Sequence, residues 1–269
     1  MSIIAYVGDI HAGSYTAVCP PKVPLDRGGH YHASRLQTII YEHWLSFWDE
    51  ARDRAIYHDE ELWGVVGGEF VEGDHHGTSS IISSNLADQR RIAKKLFKPI
   101  RSWCTRWYVV RGSAAHSGEA GREDEELASY LKAERQEGQD RSTDIVRFAC
   151  GGHNLRFQHH GWGAMRPWTW GANVLRHAAA LTYNNYKSKP EERPDLSVHG
   201  HFHRFGDSGK AHPVRVIYVG GWKFPDSYIN KLNVDDTPSK VGGLIIHASE
   251  GKELVADSYE LELARPKYV

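Results

Sequence analysis

Five times along this chain a short apolar run breaks off into residues of the kind that hold metals or move protons. Ile3 to Val7 runs into Gly8-Asp9-Ile10-His11, Leu62 to Val66 into Gly67-Gly68-Glu69, and Trp107 to Val110 into Arg111-Gly112-Ser113, with His116 just beyond. Leu155 to Gln158 runs into His159-His160, and Leu196 to Val198 into His199-Gly200-His201-Phe202-His203. Apolar runs this short, bounded by glycine, read as buried strands. Between the first three, Leu36, Ile40, Trp44, Phe47, Trp48 and Ala51, and then Leu86, Ala93, Leu96, Phe97 and Ile100, recur at helical spacing. Strands alternating with amphipathic helices predict an α/β sheet whose polar chemistry gathers at the strand ends.

Pro20, Pro21, Pro24 and Gly28-Gly29 predict an irregular loop from Ala12 to His32, long enough to be functional. Glu123 to Arg135 reads as a charged helix and Gly171 to Lys187 as another. Ile145 to Cys150 and Leu155 to Gln158 form an expected hairpin, and further strands are expected at Val214 to Val219, Gly243 to His247 and Leu254 to Leu263. With no repeat, low-complexity tract or linker, residues 1–269 are expected to form one domain holding two sheets, a length sufficient for a large core.

Lys plus Arg number 33 against 34 Asp plus Glu, so any polyanion binding must come from a local patch. Arg90, Arg91, Lys94, Lys95, Lys98 and Arg101 around the second helix are the candidate patch. A solvated helix face balanced by the acids of residues 119–126 is the alternative. Trp162, Trp168 and Trp170 are candidates for stacking on bases, with core filling as the alternative. Cys19, Cys104 and Cys150 are odd in number and form no CxxC pair, which argues against a disulfide scaffold or a thiolate zinc site and for a reduced, cytoplasmic setting. No apolar run approaches the roughly 20 residues of a membrane span, so no membrane association is expected.

The 17 histidines are the one compositional excess, and they cluster at the strand ends. Oxygen and imidazole donors without thiolate suit Mn, Fe or Zn in a hydrolytic site. Asp-x-His and His-x-His matter because residues two apart on an extended segment project to the same side. Each motif alone is weak evidence, whereas all five in order are hard to obtain by accident.

This ordered set resembles the calcineurin-like metallophosphoesterase superfamily, whose blocks run D-x-H, G-D-x-x-D/E, G-N-H-D/E, H and G-H-x-H. Gly8-Asp9-Ile10-His11 fits the first block and Gly200-His201-Phe202-His203 the last, and the resemblance runs from about Ile3 to Phe205. The stretches from Gly67 to Gly77 and from Arg111 to Gly118 look like the phage and prophage branch. The resemblance implies a two-sheet β-sandwich flanked by helices, in four layers. It implies two divalent ions at the C-terminal strand edges, Mn foremost with Fe, Zn or Mg as alternatives. Their ligands would be Asp9, His11, Glu69, His159, His201 and His203. His116 would protonate the leaving oxygen or donate to the phosphate, and the ions would share a hydroxide and clamp the phosphoryl oxygens.

Two departures stand out. Glu69 takes the place of the family's bridging Asp, so it bridges both ions or holds one, with Asp74 as its rival five residues on. Ser113, a poor neutral ligand, takes the place of the Asn. Ser113, Asp74, His75, His76, His160 and Arg111 are candidates for outer contacts to the ligands or the substrate, His159 is preferred to His160 as the ligand, and His199 is expected to be structural. The implied function is phosphodiester hydrolysis on a phosphoester such as DNA or a nucleotide. A phosphomonoesterase acting on nucleotides or proteins, or a catalytically degenerate metal-binding module, is the alternative, and the oligomeric state is open.

Overall fold

A computed structural model describes residues 1–73, 80–136, 138–161, 173–210, 212–225 and 240–262. The chain begins with β1 (Ser2–Val7), a small hairpin of β2 (Lys22–Pro24) and β3 (His30–His32), and the long helix α1 (Arg35–His58). Then come β4 (Glu61–Val66), α2 (Leu86–Phe97), β5 (Arg106–Val110), the one-turn α3 (Ala114–Ser117), α4 (Arg122–Leu131) and β6 (Ser142–Thr143). The second half supplies β7 (Ile145–Cys150), β8 (His153–Gln158), α5 (Asn173–Asn185), β9 (Leu196–His199), β10 (Gly206–Asp207), β11 (Arg215–Tyr218), β12 (Lys240–Ala248) and β13 (Val255–Glu262).

One sheet runs β13-β12-β1-β4-β5-β6 and the other β10-β11-β9-β8-β7. β1, β4, β5 and β6 are mutually parallel, as are β8, β9 and β11, so the C-terminal ends of the central strands of each sheet line up along one edge. The alternation of β1 explains its unbroken apolar sequence. Ile3, Ala5 and Val7 pack under the helices with Ile40, Trp44 and Leu96, while Ile4 and Tyr6 face the second sheet with Phe157 and Val198. A strand buried on both faces has no polar side to show. On the far face of the second sheet, Leu175, Ala178 and Ala179 of α5 cover Val216 and Tyr218. The result is the expected two-sheet sandwich flanked by helices, in four layers.

α1 starts on a capping box in which Ser34 and Gln37 satisfy each other's backbone amides, and it ends at Asp59 in the left-handed region. Trp44 from α1 meets Trp222 edge-to-face at 4.8 Å and Phe97 at 5.4 Å, so these tryptophans fill the core between helices and sheet.

Two expectations need correction. The stretch from Ala12 to His32 is not wholly irregular: β2 and β3 pair in register from Lys22↔His32 to Pro24↔His30. Pro24 is tolerated because this two-stranded ribbon has no further neighbour for its missing N–H to serve. α4 stops at Leu131 rather than Arg135, because Lys132 turns left-handed and its N–H closes onto the carbonyls of Ala128 and Ser129. The basic residues around α2, left open between a cationic patch and a balanced helix face, are in part paired with acids. Arg90 is clamped by both oxygens of Glu123 at 2.6 Å, Arg91 lies 3.3 Å from Asp88 and Lys94 lies 3.2 Å from Glu126. Lys95 donates to the carbonyl of Lys22, and Arg101 sits over the Tyr130 ring. Trp162, Trp168 and Trp170 lie outside the described residues. Among the described residues no helix is long and apolar enough to cross a membrane, and the three cysteines are buried and free.

Candidate metal centre

Backbone hydrogen bonds sew the strand-end loops together before any side chain is considered. The loop after β1 runs alongside the loop after β4: Asp9 N–H donates to Gly68, His11 N–H to Glu69 and Ala12 N–H to Phe70, at 3.1, 2.9 and 2.9 Å. The loop after β9 joins them when His201 N–H donates to both Asp9 carboxylate oxygens at 3.0 and 3.1 Å. The segment after β11 closes the ring as Trp222 N–H donates to the Asp9 carbonyl at 2.9 Å. Asp9, His11, Glu69, His201 and His203 have φ of 49, 47, 53, 73 and 53°, five of the eight left-handed non-glycine residues among those described. Each such residue costs roughly 1 kcal/mol or more, and strain of this kind collects at functional sites. Gly200 is required by the close approach, since a Cβ there would stand 2.5 Å from Asp9 Oδ2.

The side chains converge in two halves that share one carboxylate. Glu69 Oε2 lies 3.1 Å from His11 Nε2, and Glu69 Oε1 lies 3.0 Å from His159 Nε2. In the first half His203 Nε2 is 3.1 Å from His11 Nε2 and 3.5 Å from Asp9 Oδ1. In the second, His159 Nε2 is 3.2 Å from His201 Nδ1. The Gly67 carbonyl, which can only accept, lies 2.9 Å from His159 Nδ1, so a proton sits there and Nε2 is the nitrogen turned inward for an ion to take. The donor atoms of Asp9, His11, Glu69 and His203 lie within 4.8 Å of one another, as do those of His159, His160 and His201. Imidazole nitrogens facing each other at 3.1–3.2 Å around a shared carboxylate are a donor set suited to divalent cations.

Charge is arranged to match. Burial pushes the Asp9 carboxyl up to about 6, against the pull of His159. Burial also resists ionisation of Glu69, but His159 and His11 outweigh it and hold this carboxyl well below the usual range. His11 and His159 rise to about 9 despite burial, because Glu72 and Glu69 respectively favour their charged forms. His201 falls to about 4 through burial and the neighbouring His159, and His203 falls well below the ordinary value through burial and His11. Two imidazoles therefore offer free lone pairs at neutral pH, and the other two exchange a proton for an ion when one binds.

All six residues expected as ligands are brought together. His116 joins them through an edge-to-face contact with His11 at 4.4 Å, with its Nε2 4.0 Å from Glu69 and its Nδ1 2.6 Å from the Glu72 carbonyl. Ser113 Oγ donates to Glu69 Oε1. His160 is exposed, with its ring 4.5 Å from that of His201, at the mouth of the second half. His199 is fully buried against Ser197 and Tyr218. Arg111, a candidate for an outer contact to the ligands or the substrate, has its guanidinium held by Asp140 and Ser142 at 2.6 and 3.1 Å. Asp74, His75 and His76 lie outside the described residues.

Three residues escaped the sequence reading. Glu72, whose Oε2 lies 2.9 Å from His11 Nδ1, stands three residues after Glu69, where the second block has its own second acid, so its signal was available. Lys223, paired with Glu72 at 2.8 Å, had none, being a single cation between Trp222 and Phe224. Asp124 accepts from Gly112 N–H at 2.7 Å and from Ser117 Oγ and so pins the loop after β5. Its buried carboxyl rises to about 6, chiefly from burial.

No family model and no curated protein matches the chain. Among solved structures it is similar to Vps29 of Entamoeba histolytica complexed with Zn, at 12% identity and a TM-score of 0.44, over 97% of this chain and 98% of that one. A dimetal phosphatase from Danio rerio is 9% identical at a TM-score of 0.44, over 97% and 98%. A predicted phosphoesterase from Streptococcus pneumoniae is 11% identical at 0.34, over 96% and 97%. Likeness at this level carries no conclusion about activity.

Proposed function

We propose that the chain is a dinuclear metal-dependent phosphoesterase, a hydrolase whose preferred substrate is a phosphodiester. The observation that carries this reading is Glu69, whose two oxygens face two separate sets of imidazoles at 3.1 and 3.0 Å. Asp9, His11, Glu69 and His203 would hold one divalent ion, and Glu69, His159 and His201 the other. The pair supplies Lewis acidity toward the phosphoryl oxygens and a nucleophile at neutral pH. The protein's own part is positional. The Gly67 carbonyl fixes the His159 ring, Ser113 steadies the Glu69 oxygen that faces His159, and the Glu72 carbonyl holds His116 by Nδ1. In the imidazolium form, with Nδ1–H kept on that carbonyl, His116 would hand its Nε2 proton to the leaving oxygen.

Mn is the first candidate, ahead of Fe, Zn and Mg, as the family resemblance implies, while the donor set of imidazoles and carboxylates suits Mn, Fe or Zn. Assignment to the phage and prophage branch rests on two sequence stretches. The internal pairing of the α2 cations removes one argument for DNA, so a nuclease is one diesterase among several. The test is hydrolysis of a chromogenic bis-ester, a chromogenic monoester and single- and double-stranded DNA by chelator-stripped protein, before and after Mn is restored. Metal-dependent cleavage of the bis-ester, lost in Asp9→Ala and His203→Ala, is expected. Two bound ions with no turnover of any of the four would instead favour the degenerate module.

A further inference from the structure

Lys223 is only 7% exposed, follows β11 and lies between the buried Trp222 and Phe224. The backbone around it is tied down on both sides: Trp222 N–H donates to the Asp9 carbonyl, and Phe224 N–H donates to Thr16 at 3.0 Å. Its Nζ lies 2.8 and 3.1 Å from the two oxygens of Glu72. Glu72 is fixed in turn by its own N–H, which donates to the Ala12 carbonyl at 3.0 Å, and its Oε2 faces His11 Nδ1 at 2.9 Å. On the other side of the same ring, His11 Nε2 points at Glu69 and His203.

A buried ammonium and a buried carboxylate each lose several kcal/mol of hydration, so each is confined to the place where the other repays it. Glu72 Oε2 lies 2.9 Å from His11 Nδ1 but off the direction of a hydrogen bond, so it acts on the ring through its charge, favouring a proton on Nδ1 when an ion takes Nε2. We propose that Lys223 is a positioning residue: by holding both oxygens of Glu72 it keeps that carboxylate beside His11 Nδ1 and so sets the tautomer that presents Nε2 as a metal donor. This rests on the cluster being a metal centre. The neighbouring His11, Glu72 and His116 donors also lie within 4.8 Å of one another, so Lys223 has a rival role as the built-in occupant of a third cation site.

The test uses the full chain, stripped with a chelator and titrated with Zn against a chelating dye, with ions counted by elemental analysis. Lys223→Met, which keeps the length and removes the charge, is expected to weaken Zn binding roughly 10- to 100-fold. Lys223→Arg should recover part of it. Glu72→Gln should match the loss, and Glu72→Gln with Lys223→Met should be no worse than the poorer single variant, as befits one shared device. Long-range proton–nitrogen NMR of the Zn-loaded protein should find His11 protonated at Nδ1 alone in the unaltered chain and at a mixture of nitrogens in Lys223→Met. If Lys223→Met fails to fold, Lys223→Gln, which keeps a donor, should bind Zn at an intermediate affinity with the original tautomer. Unchanged affinity and tautomer in the variants would overturn the proposal, as would a third ion bound by Lys223→Met. If the unaltered chain binds no Zn, the metal centre itself is rejected, an outcome distinct from an unaltered chain that binds and variants that bind equally well.

Discussion

Glu69 is left-handed, buried and placed between two imidazoles, and among the described residues it is the side chain whose two oxygens face both halves of the cluster. Glu69→Gln keeps the size and removes the charge, so the count of bound ions by elemental analysis should fall and hydrolysis should drop with it. Retention of both ions at full rate would show that Glu69 holds neither. His116 makes a different prediction, because a positioned acid matters in proportion to the basicity of the leaving group. His116→Ala should slow hydrolysis of an alkyl phosphodiester about 100- to 10,000-fold and that of a nitrophenyl ester far less, with metal content intact. Equal losses on both esters would reject the acid role. At this scale the spacing of Asp9 with His11 and of His201 with His203 found the right residues for a reason the structure corrects: all four are left-handed rather than extended, and His201 and His203 serve different halves of the cluster. The sequence was least legible at Lys223, since a pair between residues 72 and 223 exists only once β4 and β11 have been folded onto each other.

Elements were legible in their middles and less so at their ends. The central strands were visible because burial on both faces leaves an unbroken apolar run, as in β1. α1 announced itself through Ile40, Trp44, Phe47, Trp48 and Ala51 at helical spacing, all of them buried. The β2–β3 hairpin was missed because prolines argue against strands in general and are tolerated in a ribbon without outer neighbours, and the end of α4 was missed because Lys132 adopts a left-handed turn that its sequence does not advertise. Gly64 in β4 tests how tightly the layer between helices and sheet is packed. A Cβ there would enter the Trp107 ring, coming within 2.9 Å of Cη2 and closer still to two other ring carbons. Gly64→Ala should therefore lower stability by about 1–3 kcal/mol in urea titration. The ion count should stay as it was, because the site is built from loops beyond the strand end.

For the molecule as a whole, the charges gathered at one edge couple folding to pH. His11 and His159 rise to about 9 from an ordinary 6.5, so the stability they contribute to metal-free protein is complete below 6.5 and is lost as pH climbs through 9. Divalent ions compete for the same nitrogens, so their effect has the opposite slope. The melting temperature of stripped protein should fall between pH 6.5 and 9, while the increment on restoring the ion should grow over that range. A flat increment would mean that these two imidazoles do not exchange protons for metal. The layered architecture and the convergence of strand ends were readable in outline from the chain. What was not readable is which cations remain free, because that depends on pairs such as Arg90 with Glu123 that form only across packed helices. This pairing has a consequence for ionic strength. A protein that grips a polyanion through free lysines and arginines sets loose one condensed counterion for nearly every phosphate it neutralises, so its affinity collapses as salt is raised. Around helix α2, Arg90, Arg91 and Lys94 are given to the chain's own carboxylates while Lys95, on a carbonyl oxygen, and Arg101, over a ring, keep their charge, so a polyanion engaged through this face should show a gentler salt dependence than its six cations suggest.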